Sequence, residues 1–187
     1  MLSQMPPLIG RPLRVLYVLA ALAACSCQTP ATPPRSFAMP DTTARENETI
    51  IRTLVEDCFN RGKLELLEQL VSPDYLPDYV GARGARGLEG FKFIVGLRAA
   101  FPDIHYSVDD IFAVHERVAI RWHWTGTHQG EFRGIAASQK SVSTTGSGIF
   151  RLREHKIVGA SLETDRLGFL QQLGVVAPDE KLLPPPR

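Results

Sequence analysis

The sequence predicts an α+β domain in which helices pack on one face of a curved, mainly antiparallel sheet. Two observations lead to this prediction. Between residues 46 and 100, apolar residues recur at helical spacing. From residue 104 onwards, apolar and polar residues alternate, which is typical of half-buried strands. Helices followed by a run of such strands favour a layer of helices on one side of a sheet.

Three helices are predicted ahead of the sheet. Residues 43–46, TARE, have the S/T-x-x-E form of a capping box, and a helical apolar stripe follows over 51–59. A second short helix covers the leucines of 64–71, and the Ser-Pro pair that follows is expected to end it. After a glycine-rich loop, a third helix is expected over 88–100.

About four strands are expected after the helices, at 104–111, 118–125, 141–152 and 156–164. The second is the clearest, because large apolar residues alternate with polar or small ones throughout VAIRWHWT. Short polar turns join the first strand to the second and the third to the fourth, which predicts antiparallel pairs. A short helix over 166–173 is expected to follow the last strand.

The first 24 residues have the form of a bacterial secretory signal peptide. Arg11 and Arg14 precede an apolar run over 15–24, which is shorter than the roughly 20 residues of a membrane-spanning helix. The run ends in LAAC, which resembles the lipobox of bacterial lipoproteins, whose cysteine, here Cys25, is lipidated and becomes the mature N-terminus. An ordinary signal peptide that happens to carry a cysteine is the alternative.

A lipidated Cys25 implies a protein held at the bacterial cell envelope, on the periplasmic or extracellular face, with the membrane as a partner through the lipid. Residues 25–45 are rich in Pro, Thr, Ser and Ala and are expected to form a tether. Residues 178–187 are expected to form a flexible tail. Cys58 falls on a helical apolar face and is expected to be a buried thiol that behaves as a small apolar residue.

Composition argues against several classes of function. The net charge of +1 gives no reason to expect nucleic acid as a partner. Five histidines are present without HxxxH spacing and CxxC is absent, so no metal site is expected. The sequence has no G-x-S-x-G elbow, phosphate loop or dinucleotide motif, so no cofactor is expected. General acid–base chemistry by isolated groups in an apolar pocket remains.

Asp165 is the candidate acid–base group, since it stands between the last strand and the last helix. Simple alternation puts it on one face of the strand with Ser161 and Glu163, above the small Gly159. A carboxyl group buried in that position would have a raised pKa, as a proton shuttle needs. Alternatively, Asp165 caps the N-terminus of the following helix, a position at which Asp is strongly preferred.

His128 and the two tryptophans complete this expectation. If alternation continues beyond the strand, His128 lies on the same side of the sheet as Trp122 and Trp124. An acid, an imidazole and indole rings around one cavity would suit a small aromatic or enolisable substrate. The alternative is that the tryptophans are ordinary core residues.

Five stretches in the correct order resemble the SnoaL-like polyketide cyclase (ester cyclase) family of the nuclear-transport-factor-two-like superfamily. They are FNRGKLELLEQLVSPDY (59–75), LRAAFPDIHYSVDDIFA (97–113), ERVAIRWHWTGTHQGEFRGI (116–135), IFRLREHKIV (149–158) and DRLGFLQQLG (165–174). The resemblance covers about 46–177. It implies a cone-shaped α+β barrel, usually dimeric, with a hydrophobic pocket between sheet and helices and no metal or cofactor.

The resemblance also implies a chemistry. Polyketide cyclases of this family close a ring by intramolecular aldol condensation, with an aspartate as acid and base on the enolisable carbon, and that aspartate matches Asp165. His128 would orient or polarise the substrate. Resemblance and alternation together select Tyr75, Trp124 and Phe150 as walls of the substrate pocket.

The chain departs from the family pattern at several positions. Asp78 stands where the family often has a histidine, and Gly159 and Ser161 stand where a Glu and a Trp are expected. The loss of a pocket tryptophan would widen the pocket or alter its contents.

Two functions are therefore expected from the sequence. The first is an enzyme that performs acid–base chemistry on a small hydrophobic carbonyl compound. The second is a lipid-anchored binding module that holds an apolar ligand in the same pocket without chemistry. A homodimer is expected from the resemblance, and the sheet face that bears Arg121, His123 and Thr125 is the candidate interface.

Overall fold

The computed structural model describes residues 42–182, apart from the side chains of Glu180 and Leu182. In chain order its elements are α1 (Thr42–Thr53), a π-helical continuation of α1 (Leu54–Asn60), a 3₁₀ turn (Leu64–Leu66), α2 (Leu67–Leu70), β1 (Val71–Asp78), a second 3₁₀ turn (Gly87–Phe91), α3 (Lys92–Ala100), β2 (His105–Val114), β3 (Arg117–Thr127), β4 (Ser141–Arg153), β5 (Lys156–Thr164), α4 (Arg166–Leu173) and α5 (Asp179–Leu182).

Five strands form one sheet in the order β1-β5-β4-β3-β2. β1 and β5 are parallel, and the other neighbours are antiparallel. Buried residues of α1, its π-helical continuation and α3 belong to one core cluster with residues from β2, β3 and β4. The α+β prediction, with helices on one face of a curved and mainly antiparallel sheet, is confirmed.

Strand β1 was not predicted, because its residues VSPDYLPD contain two prolines and follow a helical leucine pattern. A proline lacks the N–H that a central strand needs, but β1 lies at the edge of the sheet, where proline is tolerated. The sheet therefore has five strands rather than about four. β1 matters for the site because it contributes Tyr75 and leads directly to Tyr79.

Helical structure extends into two segments for which no regular structure was predicted. The first helix begins at Thr42, so the last residues of the expected tether, 42–45, are helical. A short helix, Asp179–Leu182, also forms inside the expected flexible tail. The expected signal peptide, Cys25 and the rest of the tether lie outside the described residues.

A β-bulge in β5 determines which of its side chains face the helices. The pairing with β4 shifts between Arg151 and Leu152, so that Arg151 lies opposite Gly159 whereas Leu152 lies opposite Ile157. Val158 is the extra residue, and one extra residue reverses the alternation of every side chain that follows it.

The predicted cavity face of β5 was therefore wrong. Ala160, Leu162 and Thr164 share register with the cavity side of β4, whereas Ser161 and Glu163 are on the opposite face. A side chain at Gly159 would meet the Arg151 guanidinium, which is also on that opposite face. The small residues of β5 consequently leave no extra room in the cavity.

Cys58 is fully buried in the helix layer, as predicted. Burial raises the pKa of its thiol to about 11, so the group is protonated at neutral pH and packs as an apolar residue. None of the helices within 42–182 is long and apolar enough to cross a lipid bilayer.

Gly146 and Gly148 in β4 leave space for side chains of the neighbouring strands. A Cβ atom at Gly146 would collide with the six-membered ring of Trp122, which lies over the glycine. A Cβ atom at Gly148 would collide with Leu162 and with the backbone of Ser161. The two glycines let large side chains from the neighbouring strands lie flat on β4.

Gly146→Ala is expected to destabilise the fold by about 1–3 kcal/mol, because the new methyl group forces the Trp122 ring out of its position. Gly96→Ala in α3 is the matched control, since its added methyl group meets nothing within 4 Å. That control should stabilise the protein by roughly 0.5–1 kcal/mol, the usual gain from Gly to Ala in a helix. Urea unfolding of both variants checks the prediction, and equal effects would contradict it.

Candidate functional site

A cavity of about 470 Å³ lies between the sheet and the helices of the described chain. Its volume falls within the range of about 300–1,000 Å³ that is usual for small-molecule pockets. Its apolar wall is contributed by the π-helical segment, α3, β3, β4, β5 and α4, together with the loop between β3 and β4. The apolar and aromatic lining residues are Val55, Phe59, Phe91, Phe93, Leu97, Ile120, Trp122, Trp124, Phe132, Ile135, Phe150, Leu162, Phe169 and Leu170.

Aromatic rings pack edge to face around this cavity. Trp124 meets Phe169 at a centroid distance of 5.6 Å, and Phe132 meets Phe169 at 5.7 Å and nearly 90°. Such pairs hold each other's orientation, so the wall is preorganised rather than collapsed. Strand alternation accounts for the indoles, because Trp122 and Trp124 are on the buried side of β3.

Three phenols supply most of the polar atoms inside the cavity. Tyr79 donates a hydrogen bond of 2.6 Å to the carbonyl oxygen of Gly90. Tyr75 is fully buried, and its hydroxyl has no hydrogen-bond partner within the described chain. The neighbouring Tyr79 hydroxyl adds to the rise in the pKa of Tyr75. Burial raises the pKa of Tyr75, Tyr79 and Tyr106, so all three are neutral donors at physiological pH.

The rim of the cavity carries its charged residues. These are Glu131, Arg133, Glu163 and Arg166, all of them exposed, although the side chain of Glu163 is on the outer face of the sheet. The segment 128–140 between β3 and β4, called the rim loop below, contributes two of them. From the glycine-rich stretch 81–87, only Gly81 lines the cavity.

Asp165 is not in the cavity wall. Its Oδ1 accepts a 2.8 Å hydrogen bond from the backbone N–H of Gly168, so the carboxylate caps the N-terminus of α4. The side chain is exposed, whereas Thr164 and Arg166 on either side of it line the cavity. The expectation of a pocket-facing carboxylate was therefore wrong for its position, and the capping alternative describes the structure.

His128 is buried but also lies outside the cavity wall. Its ring stacks on Phe101 at a centroid distance of 5.0 Å. Nδ1 accepts a hydrogen bond from the Ser138 backbone N–H at 3.2 Å, so the neutral ring carries its proton on Nε2, which has no partner in the described chain. Two backbone hydrogen bonds of 2.9 Å also join His128 to Gln139 and Lys140. His128 therefore closes the base of the rim loop, and the structure does not bring it together with Asp165.

Tyr75, Trp124 and Phe150 all line the cavity. Their position agrees with what resemblance and alternation selected, while their role in binding a substrate stays a prediction. Sequence reasoning missed Tyr79 because β1 was not foreseen, and it missed Phe132 and Arg133 because they lie in a loop without a periodic pattern. The Arg-Gly pair at 133–134 was the available indication of a tight turn there.

The described residues contain no group of three or more His, Cys, Asp or Glu side chains that is placed to hold a metal ion. His123 and Asp109 form a pair on the exposed face of the sheet, with 2.7 Å between Nδ1 and Oδ1. No third side chain of these types in the described residues extends the pair to a metal-binding group.

A protein-family model decides the relationship of this chain to known proteins. The model for the SnoaL-like polyketide cyclases matches residues 49–173. The chain belongs to the SnoaL-like polyketide cyclase family. The match begins within α1 and ends with α4, and it includes every residue that lines the cavity. No curated protein matches the chain at a significant level.

Solved structures support both the family and the fold. IdmH of Streptomyces antibioticus, described as a candidate polyketide cyclase, is 32% identical, with a TM-score of 0.60 over 69% of this chain and 99% of its own. AclR of Streptomyces galilaeus, described as a candidate hydroxylase, is 28% identical, with a TM-score of 0.66 over 74% of this chain and 88% of its own. A candidate SnoaL-like cyclase of Jannaschia sp. CCS1 is 17% identical, with a TM-score of 0.67 over 75% of this chain and 99% of its own, and shares the fold.

Proposed function

We propose that this SnoaL-like protein binds a small, mainly apolar carbonyl compound in its cavity and performs cofactor-independent acid–base chemistry on it. The supporting observation is the cavity of about 470 Å³ with an aromatic wall. Flat, delocalised ligands bind well against aromatic faces. The unpartnered Tyr75 hydroxyl would donate a hydrogen bond to the carbonyl oxygen, which offsets the cost of burying both polar groups.

In this proposal Asp165 serves as the acid and base, as the family resemblance implies. Its backbone carbonyl accepts a 2.9 Å hydrogen bond from Thr144, which lines the cavity, so Asp165 is anchored directly at the rim. Turning the carboxylate inwards breaks one hydrogen bond, from Gly168, at a cost of about 1 kcal/mol. A bound ligand that carries an acidic C–H near the rim would offset that cost.

A binding module without chemistry is the second candidate. The observation that favours it is the position of Asp165, whose carboxylate caps α4 and is exposed. Such a protein needs the cavity but no carboxylate in its wall. In an enzyme Asp165 exchanges a proton with the ligand, whereas in a binding module it only stabilises α4.

Asp165→Asn separates the two candidates, because Asn caps a helix about as well as Asp but does not accept a proton. In deuterated water, wild type should accelerate exchange of the α-hydrogens of 2-tetralone, followed by proton NMR. In the variant this exchange rate should be at least about 100-fold lower, which is the lower end of the contribution of general acid–base catalysis. The thermal stability and the affinity for 2-tetralone should not change.

Asp165→Ala serves as the control for the cap and should also lose about 1 kcal/mol of stability. A wild-type protein that binds 2-tetralone without any acceleration of exchange would overturn the catalytic proposal in favour of the binding module.

A homodimer through the outer face of the sheet forms a further part of the proposal. Phe112, Ala119 and Ile149 are aligned across β2, β3 and β4 on the face opposite the helices. Phe112 is 63% exposed and Ile149 43% exposed, so this row is apolar surface without cover in the described chain. The Asp110–Arg121 pair, at 2.8 Å, flanks the row with charges of both signs, which suits a self-complementary interface.

Phe112→Asp should convert a dimer into a monomer, because it places a charge in the centre of the apolar row. Sedimentation velocity at tens of micromolar protein measures the result. Val95→Asp on α3, where the valine is 56% exposed, is the matched control and should leave the dimer intact. A monomeric wild type, or dissociation by both variants, would argue against this interface.

We also propose the lipid anchor that the LAAC stretch predicts. Cys25→Ser should move the protein from the membrane fraction to the soluble fraction and abolish incorporation of radiolabelled palmitate in bacteria. Cys27→Ser, which changes a cysteine two residues further along, should have neither effect. Retention of the Cys25→Ser variant at the membrane would show that the segment acts in another way.

A further inference from the structure

Arg133 occupies a conformation that is unusual for its residue type. Phe132 and Ile135 exchange two backbone hydrogen bonds of 2.9 Å, so that residues 133 and 134 form a two-residue hairpin turn. Both turn residues have positive φ, 51° at Arg133 and 81° at Gly134. Glycine adopts this conformation freely, but an arginine is strained in it. His115, Gln139, Glu154 and His155 also have positive φ, so it is the position of Arg133 at the edge of the cavity that sets it apart.

The turn directs the Arg133 side chain across the mouth of the cavity. A Cβ atom at Gly81, on the opposite rim, would lie 3.0 Å from a guanidinium nitrogen of Arg133. The guanidinium also lies over the ring of Phe132, at 5.7 Å from its centroid. Gly81 therefore leaves the space that lets the guanidinium reach the far side of the opening.

The Arg133 guanidinium has no hydrogen-bond acceptor or ion-pair partner within residues 42–182. Glu131, the acid closest to it in sequence, accepts a hydrogen bond from the Gly134 N–H at 3.1 Å. Glu163 also contributes to the cavity lining, but its side chain is on the opposite face of the sheet. A guanidinium has five donors in a planar fork that matches a carboxylate.

The interior of the cavity has no charged side chain to pair with an ionised group. Its polar atoms are mainly neutral phenols, and the remaining wall is aromatic or aliphatic. A ligand with one charged end would therefore bury its apolar body inside and leave the charge at the rim. Of the rim residues, Arg133 is the one that reaches over the opening.

We propose that Arg133 binds a carboxylate at the outer end of the ligand, so that the substrate class is an apolar or aromatic oxo-acid rather than a neutral ketone or ester. This inference rests on the proposed binding of an apolar carbonyl compound in the cavity. The ligand lies with its carbonyl oxygen towards Tyr75 and its carboxylate in a two-pronged hydrogen bond with Arg133.

Two fluorescent probes that differ by one anionic group test the proposal on the full chain. They are 8-anilinonaphthalene-1-sulfonate and N-phenyl-1-naphthylamine, which lacks the sulfonate. Each should displace the other, which shows that both occupy the cavity. Arg133→Gln should lower the affinity for the anionic probe about tenfold, as expected for the loss of one charge-assisted hydrogen-bonding site. The affinity for the neutral probe should change by less than about twofold.

Two further variants are controls. Arg133→Lys keeps the charge and should restore part of the affinity for the anionic probe. Arg83→Gln removes an exposed arginine of the neighbouring loop that does not line the cavity, and should change neither probe. Equal weakening of both probes by Arg133→Gln, or no weakening of either, would overturn the proposal for Arg133 alone. Failure of the neutral probe to bind wild type would overturn the proposed function and this inference with it.

Discussion

The register of β5 against β4 is the constraint on which the site depends. Without the bulge at Val158, the alternation that starts at Ile157 would aim Gly159, Ser161 and Glu163 at the helices, and two of those residues are polar. The extra residue instead turns Ala160 and Leu162 inwards, where they complete the apolar wall. The strand then ends with Thr164 in the wall and Asp165 one position further, free to cap α4.

The cavity combines a mainly apolar wall with a few polar groups. Buried phenols, whose raised pKa values keep them neutral, line the interior, and solvated charges lie at the rim. Apolar contact supplies most of the affinity in such a pocket, while the few polar groups fix the orientation of a ligand. The His128 contacts with Ser138 and Lys140 hold the rim loop in place, so this histidine acts on the site through the backbone.

Much of this architecture could be predicted from alternation together with the family resemblance. The tryptophans of β3 indicate a buried face, and the sequence predicts both Trp124 and Phe150 as residues of the cavity wall. The failures have definite causes. Alternation is a local rule, and it has no means of registering a bulge such as that at Val158. His128 lies one residue after the end of β3, where the alternation of the strand no longer applies. Its ring stacks on Phe101 instead of lining the cavity. The side chain of Asp165 had two sterically allowed roles, and only the hydrogen bond from Gly168 decides between them.

The parallel pairing of β1 with β5 has a consequence for the order in which the chain folds. Val71 pairs with Ile157 and Asp78 with Ser161, so the partners are separated by more than 80 residues. Contacts this distant in sequence form late, because the loop between them must be closed first. During synthesis from the N-terminus, β1 has no partner until nearly the whole domain has left the ribosome. The inner wall that Tyr75 contributes is thus completed in the last stage of folding, and a truncated chain would expose an unpaired strand edge to aggregation.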